Sequence, residues 1–156
     1  MKRKIELILY ETHEKVTFYT YQYVDEDSSE FDKFFDQNDT DEFKDDIDLI
    51  LSWIDKIGKE GAHDRYFRPE IGKLMALPLD TSKLRLYTFK ISEGIVILGN
   101  GAEKNTRTFN ENPILNAHVK NLLSIGSILS TQIKNGKISV YNNELFEVKP
   151  ISFKVI

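Results

Sequence analysis

The sequence predicts an α+β fold with a mainly antiparallel, twisted sheet, two N-terminal helices and one long helix in the C-terminal half. Runs of strand-forming residues occur near the N-terminus and on both sides of Gly94, and both pairs have the pattern of hairpins. Apolar residues recur every three or four positions over residues 40–57 and again after Asn112-Pro113. That spacing is typical of helices with one buried side.

Composition limits the class of protein. The 156 residues suit one compact domain, and neither a repeat nor a linker divides them. The chain has no cysteine, which excludes disulfides and thiolate metal sites. No apolar run approaches the roughly 18 residues of a membrane span. The basic start, residues 1–4, precedes an apolar run too short for a secretion signal. We therefore expect a cytoplasmic protein that does not enter the membrane.

The net charge of −4 is unevenly distributed. Residues 25–48 carry a dense acidic block, whereas Lys and Arg outnumber Asp and Glu from Lys83 onward. The overall acidic balance counts against non-specific nucleic-acid binding, but the cationic second half leaves room for a local basic patch. The acidic block favours helix capping and solvation over a metal site, because it lacks the spacing of calcium ligands.

The first quarter of the chain predicts a hairpin and a short helix. Residues 5–10 and 16–23 are its strands. The tyrosines of the second strand could stack bases, but a half-buried sheet face is the favoured interpretation. Ser28 or Ser29 can cap a short helix over residues 30–36.

A longer helix follows over residues 40–57. Asp39 and Glu42 have the spacing of a capping box at its start. Beyond this helix, His63 beside Asp64 suggests acid–base chemistry. Adjacent side chains seldom point at one another, however, so a surface loop is the favoured interpretation.

The middle of the chain predicts the hairpin around which the rest is arranged. Residues 74–79 form a short strand, and residues 84–91 and 95–98 form a hairpin that turns at Gly94. The second strand then opens at Gly99 into a flexible, cationic loop. Such a loop could act on an anion through its cations, Lys104 and Arg107, or it could be no more than a solvated turn.

The last third predicts the long helix and a β extension. Asn112-Pro113 supplies an N-cap and a proline at the first helical position. His118 lies near the apolar side of this helix, where a packed histidine is favoured over a ligand or base. Residues 138–141 and 145–156 form a hairpin or two edge strands, and Pro150 favours an edge position for the last.

Four phrases between residues 68 and 129 follow a family pattern in order. They are Leu74-Met75-Ala76-Leu77-Pro78; Leu84-Arg85-Leu86-Tyr87-Thr88-Phe89; Glu93-Gly94-Ile95-Val96-Ile97-Leu98; and residues 99–108 before a helix that contains Ala117. This part of the chain resembles the toxin fold shared by the RelE and HigB families, in particular the phage-derived HigB-like group. The chain would then be a single RelE/HigB-like domain, residues 1–156, with an N-terminal β-hairpin and a C-terminal β extension.

The resemblance implies a function and its partners. Such proteins are toxins of toxin–antitoxin pairs, and many cleave mRNA on the ribosome without a metal or other cofactor. We therefore expect a metal-independent mRNA endoribonuclease, with an antitoxin protein and the ribosome or mRNA as partners. The sequence leaves the oligomeric state open.

The resemblance also assigns site residues. Arg85 and Lys104 would stabilise phosphate charge, Arg107 would assist, and Tyr87 would stack a base or relay a proton. Further contacts with RNA are expected from Arg65, Arg68 and Lys90.

An alternative is a non-catalytic protein-interaction module on the same scaffold, which binds a partner through the acidic helix or through a terminal edge strand. The acidic balance favours it, as do Ala76 and Pro78, which stand where the family has a charged pair. A small-molecule enzyme lacks support, because the chain has no glycine-rich nucleotide loop, metal-ligand cluster or nucleophile motif.

Overall fold

The computed structural model describes residues 1–79 and 83–156. Besides two single-turn 3-10 helices, this part of the chain contains three α-helices and nine β-strands. They are β1 (Lys2–Thr12), β2 (Thr17–Tyr23), α1 (Glu30–Asn38), α2 (Lys44–Glu60), β3 (Arg68–Ile71), β4 (Leu74–Ala76), β5 (Leu84–Ser92), β6 (Ile95–Glu103), α3 (Pro113–Lys134), β7 (Ser139–Tyr141), β8 (Glu144–Phe146) and β9 (Ile151–Lys154).

Seven strands form one sheet in the order β3-β4-β5-β6-β2-β1-β9. All neighbouring strands are antiparallel except β2 and β6, which run parallel with Thr17 opposite Ile95. Strands β7 and β8 form a separate two-stranded hairpin. The sheet is therefore mixed, with β3 and β9 at its edges.

The predicted RelE/HigB-toxin-like architecture is wrong. The hairpin of β1 and β2 is not an appendage to a smaller antiparallel sheet, because β2 pairs with β6 and becomes a central strand of the seven. The two predicted N-terminal helices follow these strands in the chain, in the order that the sequence pattern predicts. The α+β class and the long helix in the C-terminal half, α3, agree with the structure.

Helices cover both faces of the sheet. Helices α1 and α2 cover one, here called the α2 face, and α3 covers the other, here called the α3 face. Each face of the sheet carries its own hydrophobic core, and successive side chains along a strand belong alternately to one core and to the other. On β2, for example, Phe18 joins the α2-face core, whereas Tyr19 and Tyr21 join the α3-face core. Because both faces of β2 are buried, this strand suits the interior of the sheet.

Two predicted helix starts are confirmed. The Ser29 hydroxyl accepts a hydrogen bond from the Asp32 N–H at 3.2 Å and caps α1. Asn112 caps α3, and Pro113 occupies the first turn. The capping box predicted at Asp39 is wrong, because the chain first makes a turn and α2 begins only at Lys44.

The flexible loop predicted at Gly99 is also wrong, because β6 continues to Glu103. A Cβ atom on Gly101 would lie 1.8 Å from the backbone carbonyl oxygen of Arg85, and one on Gly99 would lie 2.8 Å from a methyl group of Leu122. These glycines therefore allow close approach within a buried strand rather than flexibility. The cationic loop begins only after β6.

Among the helices in the described ranges, none combines the length and the apolar character that a membrane crossing requires.

Candidate functional site

Arg68, Ala76 and Tyr87 form one row across strands β3, β4 and β5. Arg68 lies opposite Ala76, and Ala76 lies opposite Tyr87. Residues that face each other across an antiparallel ladder point to the same side of the sheet. Ala76 and Tyr87 belong to the α3-face core, so Arg68 also lies on the α3 face. The small side chain of Ala76 leaves space between the arginine and the tyrosine.

Arg85 lies on the same face, two residues before Tyr87. It pairs with Ala102, which packs against the α3-face core. Its guanidinium Nη1 donates a hydrogen bond to the Leu84 carbonyl at 2.8 Å, so the head group is held close to the start of β5.

Lys104 reaches the same end of the sheet from the neighbouring strand. It is the first residue after β6, and its backbone N–H donates to the Lys83 carbonyl at 2.6 Å. The backbone of Lys104 therefore lies beside Lys83, which is two residues before Arg85 in the chain.

Three charged side chains influence the pKa of the Tyr87 hydroxyl. Burial raises the pKa of Tyr87, and the Glu70 carboxylate raises it further, whereas Arg85 and Arg68 lower it. The net shift is upward, so the phenol keeps its proton at neutral pH and can donate a hydrogen bond. We call these four residues, Arg68, Glu70, Arg85 and Tyr87, the Tyr87 corner.

Tyr87 as a whole, hydroxyl included, is 1% exposed, and its ring packs edge-to-face against Phe109, with 6.5 Å between ring centroids. A ring held in this way offers no free face for stacking on a base. Of the two predicted roles for Tyr87, this packing disfavours base stacking, and the proton relay stays a prediction.

Two of the predicted RNA-binding residues lie on the other face of the sheet. Lys90 is opposite Val96, which belongs to the α2-face core, and its Nζ pairs with Asp64 at 2.8 Å. Arg65 stacks on the Tyr66 ring, also part of that core, with 4.7 Å between the guanidinium carbon and the ring centroid. The sequence could have predicted the position of Lys90, because side chains alternate along a strand. Residues 85 and 87 of β5 therefore lie on one face and residue 90 lies on the other.

Arg107 is placed apart from the Tyr87 corner. Its side chain is 88% exposed, and its Nε lies 3.5 Å from a carboxylate oxygen of Glu111, four residues later. An exposed pair of this kind contributes little to stability.

Sequence reasoning missed Glu70. The segment that contains β3 has no strand pattern, and Pro69 interrupts it, so nothing in the sequence places this carboxylate near Tyr87. Only the pairing of β3 with β4 does so.

The histidines remain outside the Tyr87 corner. Burial lowers the pKa of His118, Glu30 raises it and Lys33 lowers it, with a net downward shift. A neutral histidine packed on α3 agrees with the interpretation favoured from the sequence. Within residues 1–79 and 83–156, no group of three or more His, Asp and Glu side chains is arranged to hold a metal ion.

Comparisons with protein-family models, with curated proteins and with solved structures found no significant match to this chain. The resemblance to the RelE and HigB toxins therefore rests on the sequence phrases alone.

Proposed function

We propose that the protein is a metal-independent endoribonuclease that acts as the toxin of a toxin–antitoxin pair, with mRNA as its substrate. The observation that carries this proposal is that Arg68 and Tyr87 share one row on the α3 face of the sheet, with Arg85 two residues before Tyr87 on the same strand. The phrases that resemble those of RelE and HigB toxins are its support in the sequence, although the strand order differs from the one that the resemblance implies. A substrate of this kind would place the protein in the cytoplasm.

The reaction needs a base, a group that stabilises charge, and an acid. Glu70 accepts the proton of a ribose 2′-hydroxyl, whose oxygen then forms a bond to the adjacent phosphorus. The bond between phosphorus and the 5′-oxygen breaks, and Tyr87 gives its proton to that oxygen. The products are a 2′,3′-cyclic phosphate and a free 5′-hydroxyl. Proton exchange with solvent then restores both side chains.

The two arginines stabilise the extra negative charge on the phosphorane. Arg85 lies on β5 and Arg68 on the edge strand β3, on the same face of the sheet, so they can contact one phosphate from two strands. Guanidinium groups suit this role because they donate several hydrogen bonds to phosphate oxygens. Lys104 adds a cation at the same end of the sheet. Binding that depends on phosphate contacts should weaken as salt concentration rises.

The test uses the purified protein with a fluorescent RNA oligonucleotide in EDTA, and with mRNA on ribosomes. Arg85→Ala should slow cleavage by about 100-fold, the size expected when a group that stabilises the transition state is lost. Arg65→Ala and Lys90→Gln are matched controls, because both remove a cation from the opposite face, and their rates should stay within about twofold of the wild type. Mass spectrometry should detect the cyclic phosphate.

A second assay follows growth after induced expression in a bacterial host. The wild type should arrest growth, and the Arg85→Ala/Lys104→Ala double variant should not. If the wild type, shown to be folded, cleaves neither free RNA nor ribosome-bound mRNA and leaves growth unchanged, the proposal is wrong.

A non-catalytic interaction module remains the second candidate, and one observation favours it. Tyr141 and Phe146 lie on the outer side of the hairpin of β7 and β8, and they are 75% and 46% exposed. Aromatic residues are enriched in protein–protein interfaces. This candidate predicts that expression is harmless and that Arg85→Ala changes nothing, whereas Tyr141→Ser and Phe146→Ser abolish partner binding.

A further inference from the structure

A cleft of about 510 Å³ opens on the α2 face, on the opposite side of the sheet from the Tyr87 corner. The turn between β3 and β4, the turn after β5 and the segment that follows α2 form its walls. Its size falls within the roughly 300–1,000 Å³ of small-molecule sites. We call it the lysine cleft.

The floor of the lysine cleft is apolar. Pro69 and Met75 lie opposite each other in the ladder of β3 and β4, and both line the cleft together with Ile91. Pro69 carries no N–H, so its backbone leaves no donor unsatisfied at this place. A surface of this composition suits the apolar body of a ligand rather than a fully charged molecule.

Two lysines stand together at the edge of this floor. The Lys90 N–H donates to the Lys73 carbonyl at 3.0 Å, so the two residues are neighbours across β4 and β5, and both line the cleft. Like charges in such positions repel each other unless an anion balances them.

Only one of the two charges is balanced within the described part of the chain. Asp64 pairs with Lys90, whose side chain is only 13% exposed, whereas Lys73 is exposed and pairs with no carboxylate among residues 1–79 and 83–156. An amphipathic anion fits this arrangement, because its charged group can pair with Lys73 and its apolar part can cover the floor of the cleft.

We infer that the lysine cleft binds a small organic anion with an apolar body, such as an aromatic or short acyl carboxylate, sulfonate or phosphate ester. The anionic group meets Lys73, with Lys90 beside it, and the apolar body covers Pro69 and Met75. Glu93 lines the other side of the cleft, close to His63, and its carboxylate repels an anion there. This site is separate from the proposed RNA chemistry and does not depend on it.

The test compares two fluorescent probes that share an apolar body. Anilinonaphthalene sulfonate carries an anionic group, and N-phenylnaphthylamine does not. The sulfonate should bind the full-length protein at one saturable site, and Lys73→Met should weaken its binding by about tenfold, the value of one charge-assisted contact. Binding of the neutral probe should be the same for the wild type and Lys73→Met.

Two further variants keep the test decisive. Ser92→Glu adds a carboxylate at the exposed lip of the cleft and should also weaken sulfonate binding. Lys154→Met removes an exposed lysine from the distant edge strand β9 and should leave the affinity unchanged. The inference is overturned if the sulfonate does not saturate one site, if Lys73→Met and Ser92→Glu leave its affinity unchanged, or if the neutral probe loses affinity equally.

Discussion

Arg68 on the edge strand β3 and Tyr87 on β5 lie in one row of the sheet, with only Ala76 of β4 between them. Tyr87 is buried with its ring against Phe109, and burial and Glu70 raise the pKa of its hydroxyl while both arginines lower it. Arg68 lies in a segment for which the sequence predicts no regular structure, yet the strand pairing makes it a neighbour of the buried Tyr87. The four predictions that follow test this arrangement and the packing that supports it.

The first prediction concerns Glu70. Replacing it by Gln keeps the shape of the side chain but removes the base that we propose for the 2′-hydroxyl. Cleavage should slow by about 1000-fold in kcat, within the range for a lost general base, with little change in KM. Single-turnover kinetics with the oligonucleotide would measure both values. Glu111→Gln, which removes an exposed carboxylate near Arg107, is the control. An unchanged kcat for Glu70→Gln would exclude Glu70 as the base.

The second prediction separates two tyrosines on the α3 face. The Tyr19 hydroxyl accepts a hydrogen bond from the buried Leu145 N–H at 2.9 Å, so Tyr19→Phe leaves that donor unsatisfied. Its free energy of unfolding should fall by about 1–2 kcal/mol. Tyr87→Phe keeps the packing on Phe109, and its stability should stay within about 0.5 kcal/mol of the wild type.

The activities of these two variants should rank opposite to their stabilities: the stable Tyr87→Phe should be the less active one. Tyr87→Phe should cleave RNA about 100-fold more slowly because it has lost the proposed acid, whereas Tyr19→Phe should stay active below its unfolding midpoint. Urea denaturation and the oligonucleotide assay give the two values. Full activity of Tyr87→Phe would remove Tyr87 from the mechanism.

The third prediction tests the close approach of β5 and β6. In Gly101→Ala, the new methyl group meets the Arg85 carbonyl oxygen, a backbone atom that cannot move without displacing the strand. We expect a loss of about 3 kcal/mol in the free energy of unfolding. Gly72→Ala is the control: its φ of 54° is unfavourable for alanine but the space around it is open, so it should lose about 1 kcal/mol. Equal losses in urea denaturation would contradict the clash.

The fourth prediction concerns the ion pairs of Lys33. Lys33 pairs with Glu26 and with Glu30, whose side chain is only 6% exposed. Lys33→Met leaves that buried carboxylate without its cation, and the free energy of unfolding at pH 7 should fall by about 3 kcal/mol. Lys33→Arg keeps the charge and should recover most of this loss.

The pH dependence of this effect follows from Glu26. Burial raises the pKa of Glu26, but hydrogen bonds from Lys33 and Arg3 lower it, and the net shift is downward from 4.5. A carboxylate with a lowered pKa stabilises the folded state above its unfolded pKa and loses this contribution as pH falls through the folded value. The difference in unfolding free energy between the wild type and Lys33→Met should therefore be full at pH 6–7 and shrink below about pH 4. A difference that stays constant from pH 7 to pH 3 would contradict the pairing.

The candidate site was only partly predictable from the sequence. Arg85 and Tyr87 could be assigned together, because they share a strand and alternate positions of a strand share a face. Arg68 was chosen for its charge alone, and its place beside Tyr87 depends on the pairing of β3 with β4. Lys90 was also predicted from its charge, and the ladder places it on the α2 face, opposite to Arg85 and Tyr87.

The sequence by itself determined the elements that local chemistry specifies. Ser29 and Asn112 mark helix starts because their side chains satisfy backbone N–H groups within the next few residues. The strands of the hairpin around Gly94 follow from residues that are neighbours along the chain. Such features need no information from distant parts of the chain.

Only the tertiary structure decided how these elements are arranged. The parallel pairing of β2 with β6 joins segments that lie far apart in sequence, and it makes the N-terminal hairpin part of the sheet. Strand β6 continues through Gly99 and Gly101, where the sequence predicted a loop, because it stays paired with β5 as far as Leu84 and Glu103. Strand order depends on which buried surfaces fit together across the whole chain, and a local pattern carries no record of its distant partner.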